Sequence, residues 1–215
     1  MKIPPTFIPD KDLEEMIGSM LLETRAEDNS DKETVATLLR SCNIFIRQRS
    51  TMHPCIDDIY ELGEKIADKM PYFTKDDLES LSKMITPENC KDVYLGFYIS
   101  ALVNKIITEN SLITLKLEVG LYGIGAYQEK GTVAVEGDLG SLTGHSLQGG
   151  TLLVEGDTGN RTGNGMKLGR IVITGGAGED TGDFMEGGEI IAYGEIKSVV
   201  PEWRGRIYSQ GRRLR

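Results

Sequence analysis

Between residues 131 and 196 the chain repeats itself every 19 residues, and glycine keeps the register. The pattern Gly-x-x-Gly-x-x-x-Gly occurs three times in phase, at Gly137/Gly140/Gly144, Gly156/Gly159/Gly163 and Gly175/Gly178/Gly182. A fourth copy opens at Gly188 and fades after Gly194. Other columns hold the same period: Val133, Leu152, Ile171 and Ile190; Val135, Val154, Ile173 and Ala192; Thr143, Thr162 and Thr181; Leu147, Met166 and Met185. A period near 20 with a short β-branched run in each copy specifies a stacked β architecture. Every copy must turn its corners in the same way, and glycine accepts positive φ or close backbone approach without a Cβ penalty. The nine phased glycines are therefore read as structural corners.

Stacking places equivalent residues in ladders about 4.8 Å apart. The strands fall near residues 132–136, 151–155, 170–174 and 189–193. The 133 and 135 columns are apolar and should fill the interior. The column between them points the other way, yet Ala134, Leu153, Val172 and Ile191 are apolar too. A strand flanked by water alternates with polar residues. This outer ladder is expected to be covered by the helical half of the chain or by another protein, and is the candidate interface.

The first half has helical periodicity. Leu13, Met16, Ile17, Met20 and Leu21 lie on one helical face, and Ser30-Asp31-Lys32-Glu33 resembles a capping box. It opens a second stripe of Val35, Leu38, Leu39, Cys42, Phe45 and Ile46. A third helix after Pro54 turns Ile59, Gly63, Ile66, Ala67 and Met70 inward and stops at Pro71. Thr74-Lys75-Asp76-Asp77 is an acidic variant of the box, leading to Leu78, Leu81 and Ile85. In the fifth segment Val93, Tyr94, Phe97, Ala101 and Leu102 supply the apolar face. The period changes after Asn110, where residues 112–119 alternate like a strand before Gly120, Gly123 and Gly125 interrupt. The expected organisation is α+β: a helical domain over residues 1–110, a β-helix with one strand per 19-residue rung over 111–200, and a basic tail over 201–215.

The phased motifs over strands such as Thr151-Leu152-Leu153-Val154-Glu155-Gly156-Asp157 resemble the GXGXG domain, over roughly residues 112–200. That domain is a right-handed parallel β-helix found at the end of the glutamate synthase large subunit and in the C subunit of formylmethanofuran dehydrogenase. The resemblance implies an architectural spacer without catalytic residues. It further implies partners that are subunits of a glutamate-synthase-like oxidoreductase or amidotransferase assembly, or a formylmethanofuran-dehydrogenase-like complex. Self-association is the other expected use of the outer ladder.

Charge narrows the remaining classes. The chain carries 24 basic and 33 acidic residues, and its net charge of −9 argues against broad nucleic-acid binding. Six of the basic residues, Lys197, Arg204, Arg206, Arg212, Arg213 and Arg215, follow residue 196 against Glu202 alone, a cap or a docking patch for an acidic surface. No apolar run approaches the roughly 20 residues of a membrane span, and the first residues lack a signal peptide's apolar core. Cys42, Cys55 and Cys90 are odd in number and unevenly spaced. A cytoplasmic protein is expected.

Catalytic and ligand signatures are weak. Gly123-Ile124-Gly125 lacks the third glycine of a dinucleotide fingerprint, and Gly165-Met166-Lys167 is not a phosphate loop. Cys42, His53, Cys55 and Cys90 lack the local spacing of a zinc site, and Cys42 suits an apolar helix face. His145 shares its column with Asn164 and Asp183, as a polar corner residue. An esterase-like hydrolase acting alone would have to use Ser146 or Ser141 with His145, without a Gly-x-Ser-x-Gly elbow. Asp138, Asp157, Glu179, Asp180 and Asp183 lie near corners without the calcium-binding nonapeptide, and are read as a solvated edge. No catalytic, cofactor or metal residue is assigned, and no cofactor is expected.

Overall fold

The computed structural model describes residues 30–51, 55–201 and 204–214, with the side chains of Ser30 and Asp31 outside that set. The first expected helix, the Ser30 capping contact, His53 and Trp203 lie outside the described residues. Four helices, α1 (Ser30–Arg49), α2 (Ile56–Asp68), α3 (Lys75–Met84) and α4 (Leu95–Ile106), precede the strands. The strands are β1 (Leu112–Lys116), β2 (Thr132–Glu136), β3 (Thr151–Glu155), β4 (Arg170–Ile173), β5 (Glu189–Ala192), β6 (Arg206–Ser209) and β7 (Arg212–Arg213).

Helix starts follow local chemistry. Thr74 caps α3 as its acidic box predicts: the Asp77 N–H donates to Thr74 Oγ1 at 3.3 Å, and the Thr74 N–H donates to Asp77 Oδ2 at 2.8 Å. In α2 the apolar stripe Ile59, Gly63, Ile66 and Ala67 is buried, with Met70 just beyond. α4 departs from the expected single apolar face, because every residue from Leu95 to Val103 is buried. It is the central helix, covered by its neighbours on one side and by the first rung on the other, and a helix buried all round reads as hydrophobic all round.

The strands form one sheet in the order β1 to β7, parallel through β6, wound as a right-handed β-solenoid. Leu112 pairs with Thr132, Thr132 with Thr151, Thr151 with Arg170, Arg170 with Glu189 and Glu189 with Arg206. The period is thus 20 residues for the first rung, 19 for the next three and 17 for the last. The sheet continues into the segment expected to be a basic tail, where β6 stacks on β5 and β7 turns back antiparallel. Inside, Ile113, Val133, Leu152, Ile171, Ile190 and Ile207 form one buried ladder from end to end. In the Leu147/Met166/Met185 column the first rung places Gln128, also buried, whose Nε2 donates to the carbonyls of Lys130, Gly131 and Thr151.

Each corner contains three left-handed residues at alternate positions: 123, 125 and 127, then 142, 144 and 146, then 161, 163 and 165, then 180, 182 and 184, all with φ between 51° and 77°. Only the middle column is glycine throughout. The outer columns carry Leu142, Arg161, Asp180, Tyr127, Ser146 and Phe184. Space makes the difference: a Cβ on Gly144 would lie 2.4 Å from Ile171 Cδ1, and one on Gly163 2.4 Å from Ile190 Cδ1. The threonines do not form a hydroxyl ladder along the stack. Thr143, Thr162 and Thr181 each donate instead to the carbonyl three residues back, at Gly140, Gly159 and Gly178, closing their own turns in the dry interior.

The helical half caps the solenoid. A terminal rung leaves unpaired backbone groups that invite aggregation unless something covers them. In rungs two to four, Gly144, Gly163 and Gly182 donate their N–H groups to Ile124, Thr143 and Thr162 of the preceding rung. The first rung has no predecessor, and Ser100 of α4 takes its place: its Oγ accepts from the Gly125 N–H at 2.9 Å and donates to Gly123 O at 2.9 Å. Asn104 Nδ2 donates to Ala126 O, and the Tyr122 N–H donates to Val93 O. Along β1, Glu79 Oε1 and Ser82 Oγ of α3 accept from the Thr114 and Lys116 N–H groups at 3.2 and 3.0 Å. At the far end Ser209 Oγ donates to Gly194 O and accepts from the Ile196 N–H.

Candidate functional site

Two features of the surface are candidates: the seam where the cap meets the solenoid corners, and the outer face of the sheet.

At the seam, the column expected to be polar forms a hydrogen-bonded ladder. His145 Nδ1 lies 2.9 Å from Asn164 Oδ1, and Asn164 Nδ2 lies 3.4 Å from Asp183 Oδ2. Asp57, in the first turn of α2, closes the ladder from the cap side with Oδ1 3.4 Å from His145 Nε2. The Tyr127 hydroxyl donates to the same Asp57 oxygen. Rings of Phe97 and Tyr127 stand edge-on to the imidazole, at centroid distances of 6.2 and 5.5 Å. The hydrogen bond from Tyr127 does most to hold the Asp57 carboxyl below its ordinary range, with His145 adding to it against a smaller cost of burial. Burial, reinforced by Asp57, pushes the Tyr127 phenol up.

This cluster does not make a hydrolase triad. Ser146 Oγ is 3.4 Å from His145 Nε2, the same nitrogen that faces Asp57. A relay needs the acid on the far nitrogen, to fix the tautomer that leaves Nε2 free to take the serine proton. Here the far nitrogen faces the Asn164 amide. Ser141 contributes its carbonyl to the rung contact with the Gly123 N–H.

Beside the seam, α2, α4 and the first two rungs enclose a cleft of about 550 Å³ lined by Asp57, Tyr60, Glu64, Asp68, Lys105 and Glu129, among others. Burial, then repulsion from Asp68, raises the Glu64 carboxyl. Lys105 Nζ spends its charge on the carbonyls of Ala67 and Met70 at the end of α2. No group of three or more His, Cys, Asp or Glu residues among the described residues is arranged to hold a metal ion. Cys42 and Cys90 are buried in the cap, where burial raises both thiols, and Cys55 is exposed at the start of α2. The corner acids brace successive rungs: Asp138 Oδ1 accepts from the Asp157 N–H at 2.8 Å, and Asp157 Oδ1 from the Gly176 N–H at 2.7 Å.

The outer face of the sheet carries the ladder Ala134, Leu153, Val172 and Ile191, extended by Thr114 in β1 and Tyr208 in β6. All six are half-buried, where their interior neighbours are fully buried. Among the described residues the one helix packed along this sheet is α3, against β1. The cap therefore covers the end of the solenoid and leaves β3 to β6 open on their outer side. Arg170 and Arg206 flank the ladder on one side and both pair with Glu189, at 2.8 and 3.3 Å. Glu136, Glu155 and Tyr193 flank it on the other, and Tyr193 is 67 % exposed. Among the described residues no helix is long and apolar enough to cross a membrane.

No family model matches the chain, and neither a curated protein nor a solved structure does.

Sequence reasoning located His145, Asn164 and Asp183 as one column but missed Asp57 and Tyr127. Tyr127 had a signal, since it stands 19 residues before Ser146 in the same column. Asp57 had none, because its partners lie 70 and 88 residues away.

The Asp57 contacts set an acid-side expectation. Its folded-state pKa is depressed, so its stabilisation is present above the unfolded value of about 3.9 and is lost as pH falls through the folded value. Asp57→Asn is expected to flatten the fall in unfolding free energy below about pH 4, measured by urea denaturation across pH. An unchanged slope would show that Asp57 does not clasp the cap to the corners in solution.

Proposed function

We propose that this chain is a non-catalytic architectural and interaction subunit of a cytoplasmic, glutamate-synthase-like oxidoreductase or amidotransferase assembly. The observation that carries the reading is the uncovered apolar ladder Ala134, Leu153, Val172 and Ile191. A contiguous apolar stripe on a rigid sheet is the usual mark of a protein interface. The misplaced acid at His145 supports the absence of hydrolytic chemistry, and the resemblance to the GXGXG domain supports the type of assembly.

The test is native co-purification with the wild-type chain and with Val172→Lys, followed by identification of what elutes. A flavin or glutamine-dependent enzyme held by the wild type and released by Val172→Lys is the expected result. A molybdopterin enzyme in its place would transfer the reading to the formylmethanofuran-dehydrogenase-like branch. Ester turnover by the purified chain that disappears in Ser146→Ala would overturn the non-catalytic reading.

A further inference from the structure

The outer sheet face has a charge pattern that selects one occupant, and we propose that it is a second copy of this chain, packed face to face about a two-fold axis. This rests on the reading of the face as an interface and names what first covers it. Consider an axis that runs along the strand direction midway between β4 and β5. It sets Val172 against the partner's Ile191 and Leu153 against the partner's Tyr208. In the flanking column it sets Arg170 against the partner's Glu189 and Thr151 against the partner's Arg206. The column on the other side opposes Thr174 to the partner's Tyr193, which covers the most exposed ring on the face. No like charges are directly opposed in this register.

Moving the axis by half a rung, onto β4, would put Arg170 against its own symmetry mate. Charge thus chooses the register that the apolar ladder alone leaves open, since like charges juxtaposed across an interface cost stability. The arginines are available: Arg170 and Arg206 keep 56 % of their side-chain surface exposed while bonded to Glu189, whose side chain is 12 % exposed between them. Two sheets with strands aligned in this way pack about 10 Å apart, as in ordinary sandwiches.

The area sets the strength. Four strands spaced about 4.8 Å apart and about five residues long present roughly 300 Å² of projected face per copy. Even with side-chain relief this falls below the roughly 1,200 Å² total of standard stable interfaces. The dimer is accordingly weak and concentration-dependent.

Sedimentation velocity over a wide concentration range reads the outcome. The full chain is expected to shift from monomer toward dimer as concentration rises, and Val172→Lys is expected to abolish the shift. Arg170→Glu alone and Glu189→Arg alone each oppose like charges across the axis and should stay monomeric. Mixed in equal amounts they restore opposite charges at both contacts, and a heterodimer should form. That rescue separates an intermolecular pair from the intrachain bridge, which stays broken in both variants. Thermal melts of each single variant check that it is folded. A chain monomeric at every concentration, or a mixture of the folded variants that fails to associate, overturns the proposal. If such a monomer still captures a partner enzyme through Val172, the self-pairing falls and the subunit reading stands.

Discussion

Replacing Gly163 with alanine is expected to cost about 3–5 kcal/mol, close to the whole stability of a small domain. Two penalties combine. At φ +70° an L-residue pays roughly 1–2 kcal/mol for the left-handed conformation. The new Cβ would also lie 2.4 Å from Ile190 Cδ1, which is itself buried in the interior ladder with no empty neighbour to move into. Overpacking of a filled core adds about 1–3 kcal/mol. Gly211 supplies the control. It has nearly the same φ, +74°, but nothing lies within 4 Å of its would-be Cβ. Gly211→Ala should cost only the backbone penalty, about 1–2 kcal/mol. Urea unfolding of the two variants side by side decides the matter. Equal losses would mean that the glycine column is set by backbone conformation and not by the ladder beneath it.

That distinction also explains what the sequence disclosed. The 19-residue beat was legible because successive rungs press identical backbone against identical backbone, so Gly140, Gly159 and Gly178 recur in phase. The left-handed positions at Leu142, Arg161 and Asp180 were not legible, because a solvent-facing side chain there hides the conformation that a glycine would have announced. Another column, Gly131, Gly150, Gly169, Gly188 and Gly205, precedes each strand with positive φ and was visible in the same phase. The first and last rungs escaped because their neighbours differ. The first stacks on helices, so Leu117 and Leu121 stand where later rungs have glycine, and its extra residue breaks the count. The last loses two residues and ends in a hairpin. The outer ladder was read correctly as apolar, yet its cover was not readable. Whether a helix lies along a sheet or across its end depends on long-range contacts such as Ser100 with Gly123, which no local pattern encodes.

Gly96→Ala tests the cap itself, and here propensity and packing predict opposite signs. Gly96 lies in α4, where alanine normally stabilises a helix by up to about 1 kcal/mol. Its Cβ, however, would lie 2.2 Å from the Tyr122 carbonyl oxygen and 3.1 Å from Leu121 Cβ. The first obstacle is backbone, held in turn by the Tyr122 N–H bond to Val93 O at 2.7 Å, so it cannot swing aside as a side-chain end does. Relief requires α4 to lift from the corner, and that movement breaks the Ser100 bonds to Gly123 and Gly125 together with the Asn104 bond to Ala126. Each buried group left unpaired costs about 1–3 kcal/mol. A net loss of roughly 3 kcal/mol, or about 6–12 °C in Tm, is expected. The position of the damage is the sharper readout. Hydrogen exchange should accelerate first in β1 and at residues 121–128, which the cap pairs, and least in β3 and β4, which neighbouring rungs pair on both sides. Gly63→Ala offers a milder comparison, since its Cβ would meet Tyr98 Cα at 3.2 Å within the cap. A Gly96→Ala chain with unchanged or raised Tm would show that α4 does not hold the first rung in place. The helical half would then be a neighbour of the solenoid and not its lid.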